Sequence, residues 1–313
     1  MVYRQAGRDI HTIHPDRVKA LQAAKEKNWE LAIEHADSHP SRIRIRKALQ
    51  DTVETKRLTF LVAPYQTGKN AIVQKTFPGI RWREPKLEEI ADGVDVPKIY
   101  FHDEPYLNFA TPAEGEKFTE LVGKAAEKTR IIICVHPFAL LDGTYWWGDE
   151  PTAANPGFEG NLYGRAVKPL LDLEPAFVEG GFWTDELCFD VAKIMGLTDD
   201  EAMEAVRVSG GMPLVLYHIT AEEYGLELSN LDCIFLDAAV HLEKAPIEFW
   251  DACGPILESG KMGDGELFRV LKHFEYIRGE PEDCHIRSTI LAWYAAGEIK
   301  LDFDPELARI ILR

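Results

Sequence analysis

The sequence has no apolar run long enough to cross a membrane, because its longest runs, such as Ile131 to Val135, have the length of a strand. The first residues, MVYRQAGRDIH, contain no apolar stretch of the signal-peptide kind, which predicts a cytoplasmic protein. The five cysteines are scattered without a CxxC pair, so neither a disulfide framework nor a zinc site is indicated. They are Cys134, Cys188, Cys233, Cys253 and Cys284.

Positive charge is also scarce, since 35 Lys and Arg residues stand against 52 Asp and Glu residues, for a formal net charge of −17. This balance repels polyanions on average and argues against non-specific nucleic-acid binding along a broad face. One basic cluster comes early in the chain, and we expect it to be the solvated side of a helix rather than a nucleic-acid patch. It consists of Arg42, Arg44, Arg46 and Lys47.

The stretch from Arg57 to Phe77, RLTFLVAPYQTGKNAIVQKTF, predicts a strand, a loop and a helix. The strand-type residues run from Leu58 to Val62, and Ala63, Gly68 and Lys69 then follow at the spacing of a P-loop. In a P-loop, backbone N–H groups and a helix N-terminus bind phosphate oxygens, and the lysine meets the β- and γ-phosphate charge. The candidate phosphate-binding residues are Ala63, Pro64, Tyr65, Gln66, Thr67, Gly68, Lys69, Asn70 and Ala71.

Two positions depart from the usual P-loop pattern. Ala63 replaces the first glycine, a change to another small residue that the turn tolerates. Asn70 replaces the Ser or Thr whose hydroxyl normally ligates Mg²⁺. An amide oxygen is also a hard neutral ligand but sits one atom farther out, so metal geometry and hydrolysis are affected more than nucleotide binding. The alternative is a glycine–lysine turn that merely starts a helix.

A pair of acidic residues follows the glycine–lysine loop by about 35 residues. The strand-type run Ile99 to Phe101 leads to this pair, Asp103 and Glu104. In a nucleotide site, the aspartate would hold the metal shell and the glutamate would polarise the attacking water. Alone, the pair is equally typical of a strand that ends in two solvated acids. Its position after the glycine–lysine loop favours the nucleotide site.

The order of elements then predicts an α/β fold. A helical segment from Thr111 to Thr129 is followed by the strand RIIICV, which ends at His136. Alternating strands and helices of this kind form a parallel sheet with right-handed crossovers, and ligands bind at the carboxyl ends of the strands. His136 either contacts the γ-phosphate there or is a satisfied or exposed histidine without that role.

The next segments are a long loop and a small helical bundle. The loop from Asp142 to Tyr163 contains the aromatic run Tyr145 to Trp147, which is either a partner-contact patch or part of the core. Helices are expected after the N-caps Thr184 and Thr198, and a further helix is expected to start at Pro213.

Five pieces in the same order resemble the archaeal-type ATPases of the signal-transduction (STAND) branch of AAA+ P-loop proteins. They are APYQTGKN, IYFHDEP, IIICVHP, LYGR leading into VKPLLDLEP, and SGGMPLVL, within residues 41–220. The resemblance implies that Lys69 binds phosphate, that Asp103 holds Mg²⁺ and that Glu104 holds the water. Asn70 departs from the family's Ser or Thr, and we expect it to hold Mg²⁺ together with Asp103. The resemblance further implies that Arg165 senses the γ-phosphate, with His136 where Ser, Thr or Asn is common, and that Pro213 packs against the base.

The resemblance implies ATP or ADP with Mg²⁺ as cofactors, and a protein partner or self-association. It suggests an N-terminal helical extension (1–40), an ATPase core (41–175), a helical lid (176–225) and a C-terminal module (226–313) that is winged-helix-like. In that module, GELFRVLKHFEYIRG and STILAWYAAGEI are expected to be helices and KLDFDPELARIILR a hairpin. Its acidic residues favour a structural or protein-contacting role over DNA binding. They are Glu280, Glu282, Asp283, Asp302 and Asp304.

The expected function is a nucleotide-dependent switch that hydrolyses Mg-ATP slowly at the β–γ bond. One alternative is a scaffold that binds nucleotide without hydrolysing it, since Asn70 replaces the usual hydroxyl. The other is a DNA-associated ATPase of the replication-initiator or transposition kind.

Overall fold

The computed structural model describes residues 15–64, 67–80, 85–103, 112–137, 169–221, 256–263 and 265–287. The helices are α1 (Pro15–Ser38), α2 (Pro40–Thr55), α3 (Lys69–Thr76), α4 (Leu87–Asp92), α5 (Pro112–Ala126), α6 (Asp185–Ile194), α7 (Asp199–Ser209), α8 (Pro213–Ala221) and α9 (Glu266–His273). The strands are β1 (Leu58–Val62), β2 (Ile99–Asp103), β3 (Arg130–Val135), β4 (Ala176–Glu179), β5 (Ile277–Glu280) and β6 (Asp283–Ile286). Within the described residues, no helix is both long and apolar enough to cross a membrane.

The first four strands form one parallel sheet in the order β2-β3-β1-β4. The strand before the glycine–lysine loop is therefore flanked on both sides, by β3 and by β4. Val62, at the end of β1, is in register with Val135 of β3 and Glu179 of β4, so the carboxyl ends of these strands meet at one edge. This arrangement confirms the expected α/β class with a parallel sheet.

Helices cover both faces of the sheet. The residues of each strand alternate between the two faces, so apolar side chains on both faces are buried against helices. On one face, residues such as Phe60 and Ile133 pack with side chains from α4 and α5. On the other face, Leu61 and Ile132 pack with Leu49 of α2 and with α3. Burial on both faces explains why β1 and β3 have near-continuous apolar sequences.

A second core lies among the helices that follow the sheet, and it includes residues of α1, α6, α7, α8, α9 and the β5–β6 hairpin. Thr184 caps α6 by accepting a hydrogen bond from the Leu187 backbone N–H, and Thr198 caps α7 in a reciprocal arrangement with Glu201. Both caps were predicted from the sequence. The left-handed Gly210 ends α7. Helix α8 begins at Pro213, as predicted.

Several segments differ from their sequence-based description. Residues 176–179, expected in the helical lid, form β4 and pair with β1 in the sheet. The helix predicted for GELFRVLKHFEYIRG ends at His273, and its last part is strand β5, paired with β6 as an antiparallel hairpin. The 142–163 loop, STILAWYAAGEI and the hairpin expected near the C-terminus lie outside the described residues.

Candidate functional site

The loop between β1 and α3 is closed by its own side chains and backbone. Ala63 and Pro64 are buried directly after β1, and the Thr67 hydroxyl donates a hydrogen bond of 2.8 Å to the Pro64 carbonyl oxygen. Gly68 then adopts a left-handed conformation, with φ of 77°, and serves as the N-cap of α3. A residue with a side chain is strained in this conformation, so glycine fits the turn into the helix.

The start of α3 has the properties of an anion site. The backbone N–H groups of its first turn, which belong to Lys69, Asn70 and Ala71, have no carbonyl partner within the helix. The Gly68 cap has no side chain to accept from them, and the first turn contains no acidic residue. These N–H groups and the positive end of the helix dipole therefore attract a negative charge.

Lys69 lies over the same loop. Its side chain is mostly buried, with the residue 7% exposed, and its Nζ donates to the carbonyl oxygens of Pro64 at 3.2 Å and Ala63 at 3.4 Å. The ammonium group is thus held at the carboxyl end of β1, and it belongs to the residue that begins α3. A phosphate bound by those amides would meet a positive charge there.

Asn70 and Asp103 come together across the end of the sheet. The Asn70 Nδ2 donates to the Asp103 Oδ2 over 2.9 Å, although the residues are separated by 33 positions. An ionised carboxylate only accepts hydrogen bonds, so the amide nitrogen must face Asp103 and the amide oxygen is the atom available to a cation. An amide oxygen and a carboxylate are hard oxygen ligands of the kind Mg²⁺ takes, with phosphate oxygens and water completing its shell.

His136 lies directly after β3, at the same edge of the sheet, and is 2% exposed. Its Nε2 is hydrogen-bonded to the Tyr276 hydroxyl at 2.7 Å. Tyr276 lies between α9 and β5, so this bond joins the sheet edge to the C-terminal hairpin. Sequence reasoning placed His136 at the strand end, but a partner 140 residues away could not be read from the chain.

Arg42 was assigned to the solvated side of a helix, and this prediction is wrong. The residue is 5% exposed, and its guanidinium donates to the Thr67 carbonyl oxygen at 3.0 Å and to the Gly68 carbonyl oxygen at 3.5 Å. A signal for its burial is present in the sequence, because Arg42, Leu49 and Val53 lie at i, i+7 and i+11 and share one helix face. Arg44 and Lys47 of the same cluster are exposed.

Trp183 connects Arg42 to the turn before α8. The Arg42 guanidinium lies 5.9 Å from the centre of the Trp183 ring, and the Trp183 backbone N–H donates to the Gly211 carbonyl oxygen at 2.9 Å. The buried guanidinium of Arg287 donates in turn to the carbonyl oxygens of Gly210 and Trp183. The turn that precedes Pro213 is therefore tied to the glycine–lysine loop through Trp183 and Arg42.

Four predicted site residues lie outside the described residues, namely Tyr65, Gln66, Glu104 and Arg165. The structure brings together Lys69, Asn70 and Asp103, with His136 at the end of the neighbouring strand. Among the described residues, no group of three or more His, Cys, Asp or Glu side chains is placed to hold a metal ion.

No family model matches the chain, and no curated protein matches it. Solved structures match the chain at low identity. A Walker-type ATPase of Pyrococcus abyssi is 14% identical, with 83% of this chain and 97% of that chain covered and a TM-score of 0.49. The RuvB Holliday junction branch migration motor of Thermotoga maritima is 13% identical, with 81% and 94% covered and a TM-score of 0.37.

Domain III of the Thermotoga maritima replication initiation protein DnaA is 12% identical, with 77% of this chain and 95% of that chain covered and a TM-score of 0.34. We therefore argue function from the residues of this chain and not from these likenesses.

Proposed function

We propose that the protein is an ATP-binding P-loop ATPase of the STAND/AAA+ kind that acts as a nucleotide-dependent switch. The observation that carries the proposal is the hydrogen bond of 2.9 Å from Asn70 Nδ2 to Asp103 Oδ2. It joins the residue after the loop lysine to the acid at the end of β2, which is separated from β1 in the sheet by β3. This is the pairing that a site for phosphate and Mg²⁺ requires and that a simple helix-starting turn does not.

Each residue is assigned a role, and the roles of Glu104, Arg165 and Pro213 rest on the resemblance to the STAND ATPases. The first-turn amides of α3 and the Lys69 ammonium bind and orient the phosphate chain. Asn70 and Asp103 would hold Mg²⁺, and the ion would supply positive charge to the phosphate chain. Glu104 orients the attacking water, and Arg165 or an arginine from a neighbouring subunit stabilises the transferred charge. Pro213 packs against the base.

The switch requires a contact that differs between nucleotide states. His136 stands at the carboxyl end of β3, where a γ-phosphate sensor would act, and its Nε2 is bonded to Tyr276. If the same ring atom is needed for the γ-phosphate, ATP and the Tyr276 hydroxyl compete for it. Nucleotide binding would then change how the β5–β6 hairpin is held against the sheet.

The same proposal assigns a role to each segment of the chain. The sheet and its covering helices are the ATPase core, and α6, α7 and α8 form the lid. The segment from α9 through β6 is part of a winged-helix-like module that contacts a protein partner or a second copy. The turn between β5 and β6 carries Glu282, and Asp283 follows it, so we do not propose DNA binding for this hairpin.

The test is phosphate release from Mg-ATP by the natural protein and by the Asn70→Thr and Asp103→Asn variants. Thr supplies the hydroxyl that a P-loop metal site usually has, so the first variant should hydrolyse ATP about tenfold faster or more. The second should lose both release and the Mg²⁺ dependence of ATP binding. ATP binding without release in the natural protein and in Asn70→Thr would make it a nucleotide-binding scaffold. Unchanged Mg²⁺ dependence in Asp103→Asn would contradict the metal site.

A further inference from the structure

Arg42 is buried in a place that disfavours a cation. It lies in the first turn of α2, close to the positive end of the helix dipole, and the residue is 5% exposed. Burial lowers the pKa of its guanidinium to about 10, against a smaller opposing effect of the Asp37 charge. It remains charged at neutral pH. A buried charge of this kind persists only when hydrogen bonds or a counter-charge compensate it.

Backbone carbonyl groups provide the compensation, and both belong to the glycine–lysine loop. Nη1 of Arg42 donates to the Thr67 carbonyl oxygen and Nη2 to the Gly68 carbonyl oxygen. In the described part of the chain, no carboxylate forms an ion pair with Arg42. Asp37, whose charge raises the pKa of Arg42, forms its ion pairs with Arg46 and Lys75.

The bond from Arg42 fixes the direction of the Thr67 carbonyl group. The Gly68 carbonyl oxygen accepts a second hydrogen bond besides that from Arg42, from the Ile72 N–H of α3 at 3.0 Å, so Arg42 and the helix hold this group together. In a planar trans peptide the C=O and N–H groups point in opposite directions. When the carbonyl groups of Thr67 and Gly68 point at Arg42, the N–H groups of the same two peptide units, which belong to Gly68 and Lys69, point away from it. These are N–H groups of the turn that would bind phosphate.

We propose that Arg42 is a positioning residue of the phosphate-binding loop, which bridges the Thr67 and Gly68 carbonyl groups and thereby directs the following amides toward the phosphate chain. This inference rests on the proposed function. The fork of the guanidinium suits the task because it presents two donors in a fixed plane, which a lysine ammonium does not. The guanidinium carbon also lies over the Trp183 ring, 5.9 Å from the ring centre.

The matched control is on the same helix. Arg44 is exposed, whereas Arg42 is buried, so Arg44→Met and Arg42→Met remove the same charge and add the same side chain. Binding is measured by calorimetry with Mg-ATP, Mg-ADP and inorganic tripolyphosphate, the last of which has no base. Thermal unfolding without ligand checks that each variant is folded.

We expect Arg42→Met to weaken binding of ATP and of tripolyphosphate each by about tenfold, and Arg44→Met to leave both within about twofold. Arg42→Lys should fall between the natural protein and Arg42→Met. It is also the variant to rely on if Arg42→Met does not fold. Tripolyphosphate affinity equal to that of the natural protein in Arg42→Lys would contradict the two-carbonyl bridge.

The outcomes separate this inference from the function on which it rests. No ATP binding by the natural protein would overturn both. ATP binding by the natural protein with equal binding by Arg42→Met would overturn only the role of Arg42. A loss of ATP affinity in Arg42→Met with unchanged tripolyphosphate affinity would mean that Arg42 affects binding of the base, by way of its contact with Trp183. That result would also overturn the positioning role.

Discussion

The Nε2 of His136 and the hydroxyl of Tyr276 are hydrogen-bonded at 2.7 Å, in the buried space between the edge of the parallel sheet and the C-terminal hairpin. The two rings are also tilted against each other, with centroids 6.1 Å apart. Tyr276 packs edge-on against Phe182, in the segment that leads from β4 to α6. The end of β3, beside the candidate phosphate site, is therefore in direct contact with Tyr276, which precedes the β5–β6 hairpin.

Tyr276→Phe removes the hydroxyl and keeps the ring. The variant should lose about 0.5–1.5 kcal/mol in free energy of unfolding, the net worth of one hydrogen bond. If ATP competes for His136, the affinity for ATP relative to ADP should rise by about 2- to 10-fold. Denaturant unfolding and calorimetry measure the two effects. Tyr217→Phe, which changes a half-buried ring in α8, is the control, and an unchanged ATP-to-ADP ratio in Tyr276→Phe would exclude the competition.

Gly211→Ala tests the turn that joins α7 to α8. Gly211 has φ of +87°, and an added Cβ would lie 2.4 Å from the Trp183 carbonyl oxygen and 2.9 Å from the Phe182 Cβ. Gly196, with φ of +94° and no atom within 4 Å of such a Cβ, provides the comparison. We expect Gly196→Ala to cost about 1–2 kcal/mol from backbone strain alone. Gly211→Ala should cost about 3 kcal/mol or more, because strain and overlap add.

Denaturant unfolding of the two glycine variants gives this comparison directly. Equal losses in the two variants would show that the turn relaxes away from Trp183. In that case the connection from the loop through Arg42 and Trp183 to the turn before Pro213 would not be rigid.

Asp185→Asn tests the ion pair that holds the hairpin to α6. The Arg278 guanidinium binds both oxygens of Asp185, at 2.8 Å and 2.6 Å, and this hydrogen bonding lowers the pKa of the Asp185 carboxyl below its ordinary 3.8. A carboxyl with a lowered pKa stabilises the folded state above pH 3.8, and the contribution disappears as the pH falls through its folded-state pKa. Both side chains are partly exposed, so we expect a loss of about 0.2–1 kcal/mol at pH 7.

The stability difference between the natural protein and Asp185→Asn should therefore close as the pH is lowered below 3.8. Unfolding is followed at pH 7 and in acid, with Glu186→Gln, the adjacent acid in the first turn of α6, as the control for a lost helix-end charge. A difference that stays constant with pH would mean that the pair contributes through packing and not through charge.

Local sequence predicted the loop after β1 and the capped helices, because each depends on residues within one turn of the chain. The turn at Gly68 and the Thr184 and Thr198 caps are of this kind. The pairing of Asn70 with Asp103 required only one further step, since parallel strands bring their carboxyl ends to the same edge.

Contacts across the chain could not be predicted in the same way. Arg42 was predicted to face solvent because it is charged, although it shares a helix face with buried residues. The carbonyl groups that accept its hydrogen bonds belong to residues 25 and 26 positions later. The hairpin β5–β6 was missed because a strand of four residues directly after an amphipathic helix is too short to show a period of its own. The bond from His136 to Tyr276 depends on how the hairpin packs against the sheet edge, which no local pattern specifies.

The central claim is that the loop ending in Lys69 binds the phosphates of ATP. The most direct measurement is calorimetric titration of the natural protein and of Lys69→Ala with Mg-ATP. The substitution removes a charge-assisted hydrogen bond to the phosphates and the positive charge that neutralises them. The variant should therefore bind ATP about 10- to 100-fold more weakly and should still unfold in a single cooperative transition. Equal ATP affinity in the two proteins, or no ATP binding by the natural protein, would contradict the account.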